Sequence, residues 1–175
     1  MNGQQETKRE NLRVGKNLSD FLLRGDGKPA GFALWTGLIS LGIAWWAPDT
    51  YSTLGRGSAR GWLVFFLIIA CWTIFGAGVA YGESGKDVSI IVILAPLFVV
   101  WAAFFIDVVR TYLQIKTQAQ EFETSANNTS TTETDKAIQA MIVWSVRRDR
   151  KKAKEMLSRI DWKNVNPEIK KKLGV

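Results

Sequence analysis

The stretch that decides the fold is residues 61–81, GWLVFFLIIACWTIFGAGVAY, which contains no charged side chain. At 1.5 Å per residue, a helix of this length reaches about 32 Å, close to the roughly 30 Å of a bilayer's hydrocarbon core. Residues 31–47, GFALWTGLISLGIAWWA, and residues 88–109, VSIIVILAPLFVVWAAFFIDVV, are similarly apolar. The sequence therefore predicts an all-α, polytopic membrane protein with three transmembrane helices, at about residues 31–47, 61–81 and 88–109.

Composition excludes several kinds of protein. The chain has 175 residues and a formal net charge of +7, and nearly all its Lys and Arg residues lie outside the apolar runs. These runs offer no alternating polar face, so a water-soluble globular enzyme is discarded. Histidine is absent and Cys71 is the only cysteine, which excludes a His general base, a Cys/His zinc site and an intramolecular disulfide. We expect no enzyme, no catalytic residue, no cofactor and no metal site, and a Cys71 that packs as a small apolar residue.

Four parts are predicted along the chain. Residues 1–29 are a basic amphipathic segment, whose short helix would lie along the membrane surface unless the segment is a flexible charged tail. Residues 30–109 are the three-helix transmembrane domain, and residues 110–135 are a helical extension followed by a polar linker. Residues 136–175 are a basic helical tail outside the membrane. Within it we expect one helix over residues 136–160 and a last short one that starts at Asn166 and Pro167 and ends at Gly174.

Aromatic and basic side chains near the ends of the predicted spans are candidate interfacial anchors. They are Trp45, Trp46, Trp62, Tyr81 and Arg110. Small residues and one proline are expected to shape how the helices pack. They are Gly37, Gly76, Gly78, Gly82 and Pro96. Trp72 and Trp101 lie near mid-span, where each is predicted to fill a gap between helices; stacking on a pigment, quinone or lipid is the alternative.

The tail carries a dense basic cluster, which is the predicted contact for a partner or a lipid. It consists of Arg147, Arg148, Arg150, Lys151, Lys152 and Lys154. Such a cluster can hold anionic lipid headgroups, dock on an acidic partner subunit, touch nucleic acid, or simply be solvated charge. Interleaved Met and Ile residues and Trp144 disfavour nucleic acid.

Orientation is poorly determined by charge if the chain crosses three times. One side of the membrane then carries five basic residues near the spans: Arg13, Lys16, Arg24, Lys28 and Lys86. The other side carries four: Arg56, Arg60, Arg110 and Lys116. The tail cluster favours a cytoplasmic carboxyl terminus. If both ends lie on one side, one span must be re-entrant, and the Gly-rich first span is the candidate.

The sequence favours a non-enzymatic membrane subunit that packs in a larger assembly and uses its basic tail to contact a partner subunit or anionic lipid. The alternative is a pore formed by self-association, since three spans and a charged tail resemble class I phage holins in topology, without a matching motif. A lipid-modifying enzyme is a third class, but the acidic residues are too scattered to nominate a site. The expected partners are other membrane subunits, further copies or anionic lipids, and a bacterial inner membrane is favoured over a eukaryotic organelle membrane.

Overall fold

The computed structural model describes residues 14–83, 90–128 and 132–175, which form eight α-helices, one short 3-10 helix and no strand. The helices are α1 (Lys16–Arg24), α2 (Phe32–Ile39), α3 (Trp46–Thr53), α4 (Ser58–Glu83), α5 (Ile90–Asn128), α6 (Glu133–Ser145), α7 (Arg150–Ser158) and α8 (Pro167–Leu173), with the 3-10 helix at Trp162–Asn164 before α8. The predicted all-α class is therefore confirmed for this part of the chain. Three stretches lie outside the described residues: residues 1–13 of the predicted amphipathic segment, residues 84–89 with Lys86, and residues 129–131 of the predicted linker.

Two helices are long and apolar enough to cross a membrane. They are α4, over Ala59–Gly82, and α5, over Ile93–Ala126. In their most apolar windows only 17% and 22% of the residues are buried. The core helix of a soluble protein would be mostly buried, so most of this apolar surface needs another covering.

The predicted first span does not form one helix. Residues 31–47 instead contain the eight-residue α2, a turn, and the beginning of α3, which returns and packs against α2. An eight-residue helix is about 12 Å long, too short for the hydrocarbon core. Three spanning helices are thus not confirmed, and the Gly-rich run forms a hairpin of two short helices, here called the short hairpin.

The short hairpin satisfies its own polar groups. Thr50 Oγ1 donates to Thr36 Oγ1 at 2.7 Å across the two helices, and Ser40 Oγ donates to the Thr36 carbonyl at 2.6 Å. The indole Nε1 of Trp101 on α5 lies 3.3 Å from the carbonyl oxygens of both Gly37 and Leu38. The last carbonyls of a helix have no partner within it, and the Trp101 indole supplies one for these two.

The tip of the short hairpin packs between α4 and α5. Ala44 lies in a buried cluster with Phe65 and Ile68 of α4 and Leu97 of α5. Ile68 is eight positions after Arg60, so the tip reaches about 12 Å along α4 from that charge. The tip of the short hairpin therefore packs beside the amino-terminal half of the apolar part of α4.

The second half of α5 belongs to a helical bundle with α1, α6, α7 and α8, here called the tail bundle. Its core contains Leu18 and Phe21 of α1, Ile115 of α5, Ile142 of α6 and Ile169 of α8. The apolar face of α1, which we expected on the membrane surface, is covered here by protein. Because α1 precedes the two long helices and α6 follows them, the described ends of the chain lie together in one bundle.

The prediction of one continuous helix over residues 136–160 is wrong, because two helices occupy this range. The helix α6 ends at Ser145, and Arg148 has a left-handed backbone conformation with φ 62°. The helix α7 then begins at Arg150, where the Asp149 side chain accepts a hydrogen bond from the Lys152 N–H. A Thr132–Asp135 capping box starts α6. The last helix agrees with its prediction: Asn166 caps it, Pro167 is its first residue, and Gly174 ends it with φ 73°.

Candidate functional site: a basic helix and an apolar groove on the tail bundle

The carboxyl end of α6 lies beside the start of the short hairpin. The carbonyl of Ser145 accepts from the N–H of Ala30 at 3.1 Å, two residues before α2 begins. The side chain of Arg148 lies against Gly31, where a Cβ would come within 2.9 Å of Nη2. The predicted basic cluster therefore starts where the exposed apolar surface of Phe32 and its neighbours begins.

The structure divides the predicted cluster into two groups. The arginines make intramolecular contacts: Arg147 forms an ion pair with Glu123 of α5, and the Arg150 guanidinium lies 5.5 Å from the ring centroid of Trp144. With Arg148 against the short hairpin, all three arginines help to fix the turn between α6 and α7.

The lysines form the second group. Lys151, Lys152 and Lys154 are exposed on α7, whose only buried residue is Ala153. None of these three lysines has an ion pair within residues 14–83, 90–128 and 132–175. This leaves three positive charges on one short helix available to a molecule outside the chain.

An apolar groove of about 330 Å³ opens next to this basic region. Its walls include Phe21 and Leu22 of α1, Met141 of α6 and Leu157 of α7, with Lys172 of α8 at its edge. A volume above about 300 Å³ is in the range of small-molecule sites. The groove was not foreseen from the sequence, because its walls combine α1 with α6, α7 and α8, which follow more than a hundred residues later.

Two lysines border the groove in different settings. Lys28 Nζ lies 3.3 Å from Asp26 Oδ2 and 3.4 Å from Asp49 Oδ2, so its charge is already balanced. Burial acts to lower the pKa of Lys28, but the hydrogen bond and charge of Asp26, together with Asp49, outweigh it and raise that pKa above its ordinary value. Lys172 Nζ instead donates to the backbone carbonyl of Gly25 and keeps its positive charge unpaired within the described chain.

The predicted anchors fall on different surfaces. Trp45 and Trp62 meet edge-on, with ring centroids 6.1 Å apart, and Trp46 begins α3. Arg110 is exposed at the side of α5, and Tyr81 is exposed near the end of α4. The structure thus brings Trp45 and Trp62 together, although Trp45 belongs to the short hairpin rather than to the end of a span.

The residues predicted to shape helix packing lie in different surroundings. Gly78 approaches Ile93 of α5 so closely that a Cβ would overlap it, and Gly37 packs against Val108. Among the residues that the structure describes, no neighbour lies within 4 Å of a Cβ built at Gly76 or Gly82. Pro96 lies inside α5, which continues through it.

A polar cluster missed by the sequence ties the short hairpin to α5. The buried Tyr51 hydroxyl donates to Asp107 Oδ2 at 2.7 Å, and Arg56 Nη1 lies 4.0 Å from Asp107 Oδ1. Arg56 also donates to Asn17 of α1 at 3.3 Å. These partners of Asp107 belong to other parts of the chain, whereas a helical sequence shows only neighbours three or four positions apart.

Among the residues that the structure describes, no group of three Asp, Glu, Cys or His side chains is placed to hold a metal ion. The absence of a cofactor or metal therefore stays a prediction.

Comparisons with protein families, with curated proteins and with solved structures find no match for this chain.

Proposed function

We propose that this chain is a non-enzymatic integral membrane subunit, anchored by α4 and α5, whose tail bundle docks an acidic partner subunit through α7. The observation that carries the proposal is the row of three exposed, unpaired lysines on α7. The bundle that bears them shares the helix α5 with the apolar segment, so no flexible linker separates the two. A basic surface held at a fixed distance from a membrane suits an anchoring subunit.

Membrane insertion is supported by the apolar side chains that α4 and α5 leave uncovered. Leu63, Phe66 and Ile74 of α4 and Val99 and Ile106 of α5 are each more than half exposed. Burying an exposed side chain of this size contributes about 1.5–3 kcal/mol. Lipid, with further subunits at some positions, is the covering that we propose for them.

Two crossings instead of three change the charge balance. With the short hairpin re-entrant, one side of the membrane receives seven basic residues of the described chain near the apolar segments: Lys16, Arg24, Lys28, Arg56, Arg60, Arg110 and Lys116. The other side receives Lys86 in the segment between α4 and α5. Positive charge near spans favours the cytoplasmic side, so we place both ends of the chain and the tail bundle in the cytoplasm.

The experiment compares two triple variants of equal charge. Lys151, Lys152 and Lys154 are replaced by Gln in the first, and the exposed Lys116, Lys163 and Lys171 by Gln in the second. We expect a protein that co-purifies with the full chain from native membranes to be lost with the first variant, to be retained with the second, and to dissociate from the parent chain at high salt. Equal retention by both variants would contradict the proposal, and so would release of the first variant from anionic vesicles alone.

We do not propose that the chain forms a pore by self-association. Residues 61–82 of α4 and residues 90–106 of α5 contain no charged side chain. The hydroxyl of Thr73 donates to the Ile69 carbonyl of its own helix at 2.9 Å. A water-filled channel needs a polar lining, which these segments do not supply.

A further inference from the structure

The groove of the tail bundle has the composition of a site for an amphiphile. Phe21, Leu22, Met141 and Leu157 form apolar walls, and Lys28 and Lys172 also line the groove. Such a combination takes a ligand with an apolar chain and a charged head.

The position of the groove favours a ligand that comes from the bilayer. Trp144 and Ser145 line it, and the Ser145 carbonyl is bonded to Ala30 at the start of the short hairpin. From there Phe32 and Trp35 continue as exposed apolar surface, with 65% of Trp35 accessible. If α4 and α5 are inserted as proposed, a lipid chain reaches the groove along this surface without crossing bulk water.

The charges at the edge favour an anionic head. The Lys172 ammonium has three N–H donors, and the carbonyl of Gly25 is its one acceptor within the described residues. Arg150 stands over Trp144 on the groove wall. Lys28 adds no surplus charge, because Asp26 and Asp49 already flank it.

We infer that the groove binds one acyl chain of an anionic phospholipid, whose phosphate is held by Lys172. This site rests on the proposed membrane insertion but not on the partner of α7, since Lys151, Lys152 and Lys154 do not line it. Lipid bound here would fasten α1, α6, α7 and α8 to the membrane surface at the end of the bundle nearest the short hairpin.

The test is native mass spectrometry of the full chain in nonionic detergent, with phosphatidylglycerol and phosphatidylcholine that carry the same two oleoyl chains. We expect phosphatidylglycerol adducts at lower lipid concentration. Lys172→Gln should weaken them about five-fold, the effect of one basic residue near a membrane surface. The matched control is Lys171→Gln, because the exposed Lys171 does not line the groove.

A second pair of measurements locates the chain. Leu157→Trp should fill the groove and reduce adducts of both lipids, and a photoactivatable fatty acyl chain should cross-link to residues 140–145. Equal binding of the two lipids, equal effects of Lys172→Gln and Lys171→Gln, or cross-links confined to α4 and α5 would each overturn the site. Any of these results leaves membrane insertion intact, whereas loss of insertion would appear separately, as extraction of the parent chain from membranes by alkaline carbonate.

Discussion

Replacing Trp101 by Phe tests how an α-helix can end inside an apolar region. Of the last four carbonyls of α2, those of Thr36 and Ile39 accept from backbone N–H groups of the following turn. Those of Gly37 and Leu38 share the Trp101 indole N–H at 3.3 Å each. The substitution therefore removes the only side-chain donor that reaches these two carbonyls from the described chain.

The expected loss follows from the cost of an unpaired buried polar group, about 1–3 kcal/mol of unfolding free energy. The assay is reversible unfolding in mixed micelles of mild detergent and dodecyl sulfate, followed by circular dichroism. The matched control is Trp72→Phe on α4, which removes an equal ring area from a side chain with an aromatic neighbour, Phe75, but no described hydrogen bond. We expect the control to change stability by less than about 0.5 kcal/mol.

A result in which the two variants lose equal stability would refute this reasoning. The carbonyls of Gly37 and Leu38 would then find water or lipid donors at no cost, and the apolar surroundings that we propose for the end of α2 would be wrong.

Three further predictions concern the contacts around the tail bundle. Tyr51→Phe removes the hydroxyl that donates to a carboxylate of α5 at 2.7 Å, and we expect a loss of about 1.5–3 kcal/mol in the same unfolding assay. Gly55→Ala places a Cβ into a backbone carbonyl of α1 at φ 72°, and should cost at least about 2 kcal/mol, whereas Gly57→Ala, at φ 80° in open space, should cost only the about 1–2 kcal/mol of left-handed strain. Glu133→Gln should make the free energy of unfolding depend less on pH in acid. Hydrogen bonds from Lys136 and from the backbone N–H of Asp161 hold the pKa of Glu133 below its ordinary 4.5. The ionised carboxylate therefore stabilises the native chain, and this contribution is lost as the pH falls below 4.5.

Each of these predictions has an opposite outcome that would count against the structure. A neutral Tyr51→Phe variant would mean that the short hairpin is not tied to α5 through that hydroxyl. Equal costs at Gly55 and Gly57 would contradict the close approach of α1. An acid titration of unfolding that is unchanged in Glu133→Gln would show that the Glu133 carboxylate does not gain stability from Lys136 and the Asp161 N–H.

The long helices could be predicted because the absence of charge is a property of each segment alone. Residues 61–81 lie inside α4, and the run that starts at residue 88 continues as α5 beyond the apolar part, as its amphipathic extension indicated. The last helix was predicted for a similar reason, since Pro167 and Gly174 mark its ends locally.

The short hairpin could not be derived in the same way. Seventeen apolar residues are compatible with one tilted span or with two short helices, and the choice depends on Trp101, more than sixty positions away, which supplies the missing donor. The glycines of this run made it the candidate for a re-entrant span but did not identify the turn. The break at Arg148 was also missed, although Asp149 is a helix-capping residue type and gave a local signal.

The division of the basic cluster depends on tertiary contacts. No pattern in residues 147–154 distinguishes an arginine paired with Glu123 from a lysine without a partner, because Glu123 belongs to another helix. The candidate contact surface is therefore half the size that the sequence suggested, and the groove beside it had no sequence signal.

The re-entrant path of residues 31–47 is tested most directly by single cysteines in a Cys71→Ser background, at positions 16, 86 and 171, labelled with a membrane-impermeant maleimide before and after permeabilisation. Two crossings predict that positions 16 and 171 react from the same side of the membrane and position 86 from the opposite side. Labelling of positions 16 and 171 from opposite sides would mean that the first apolar run crosses completely.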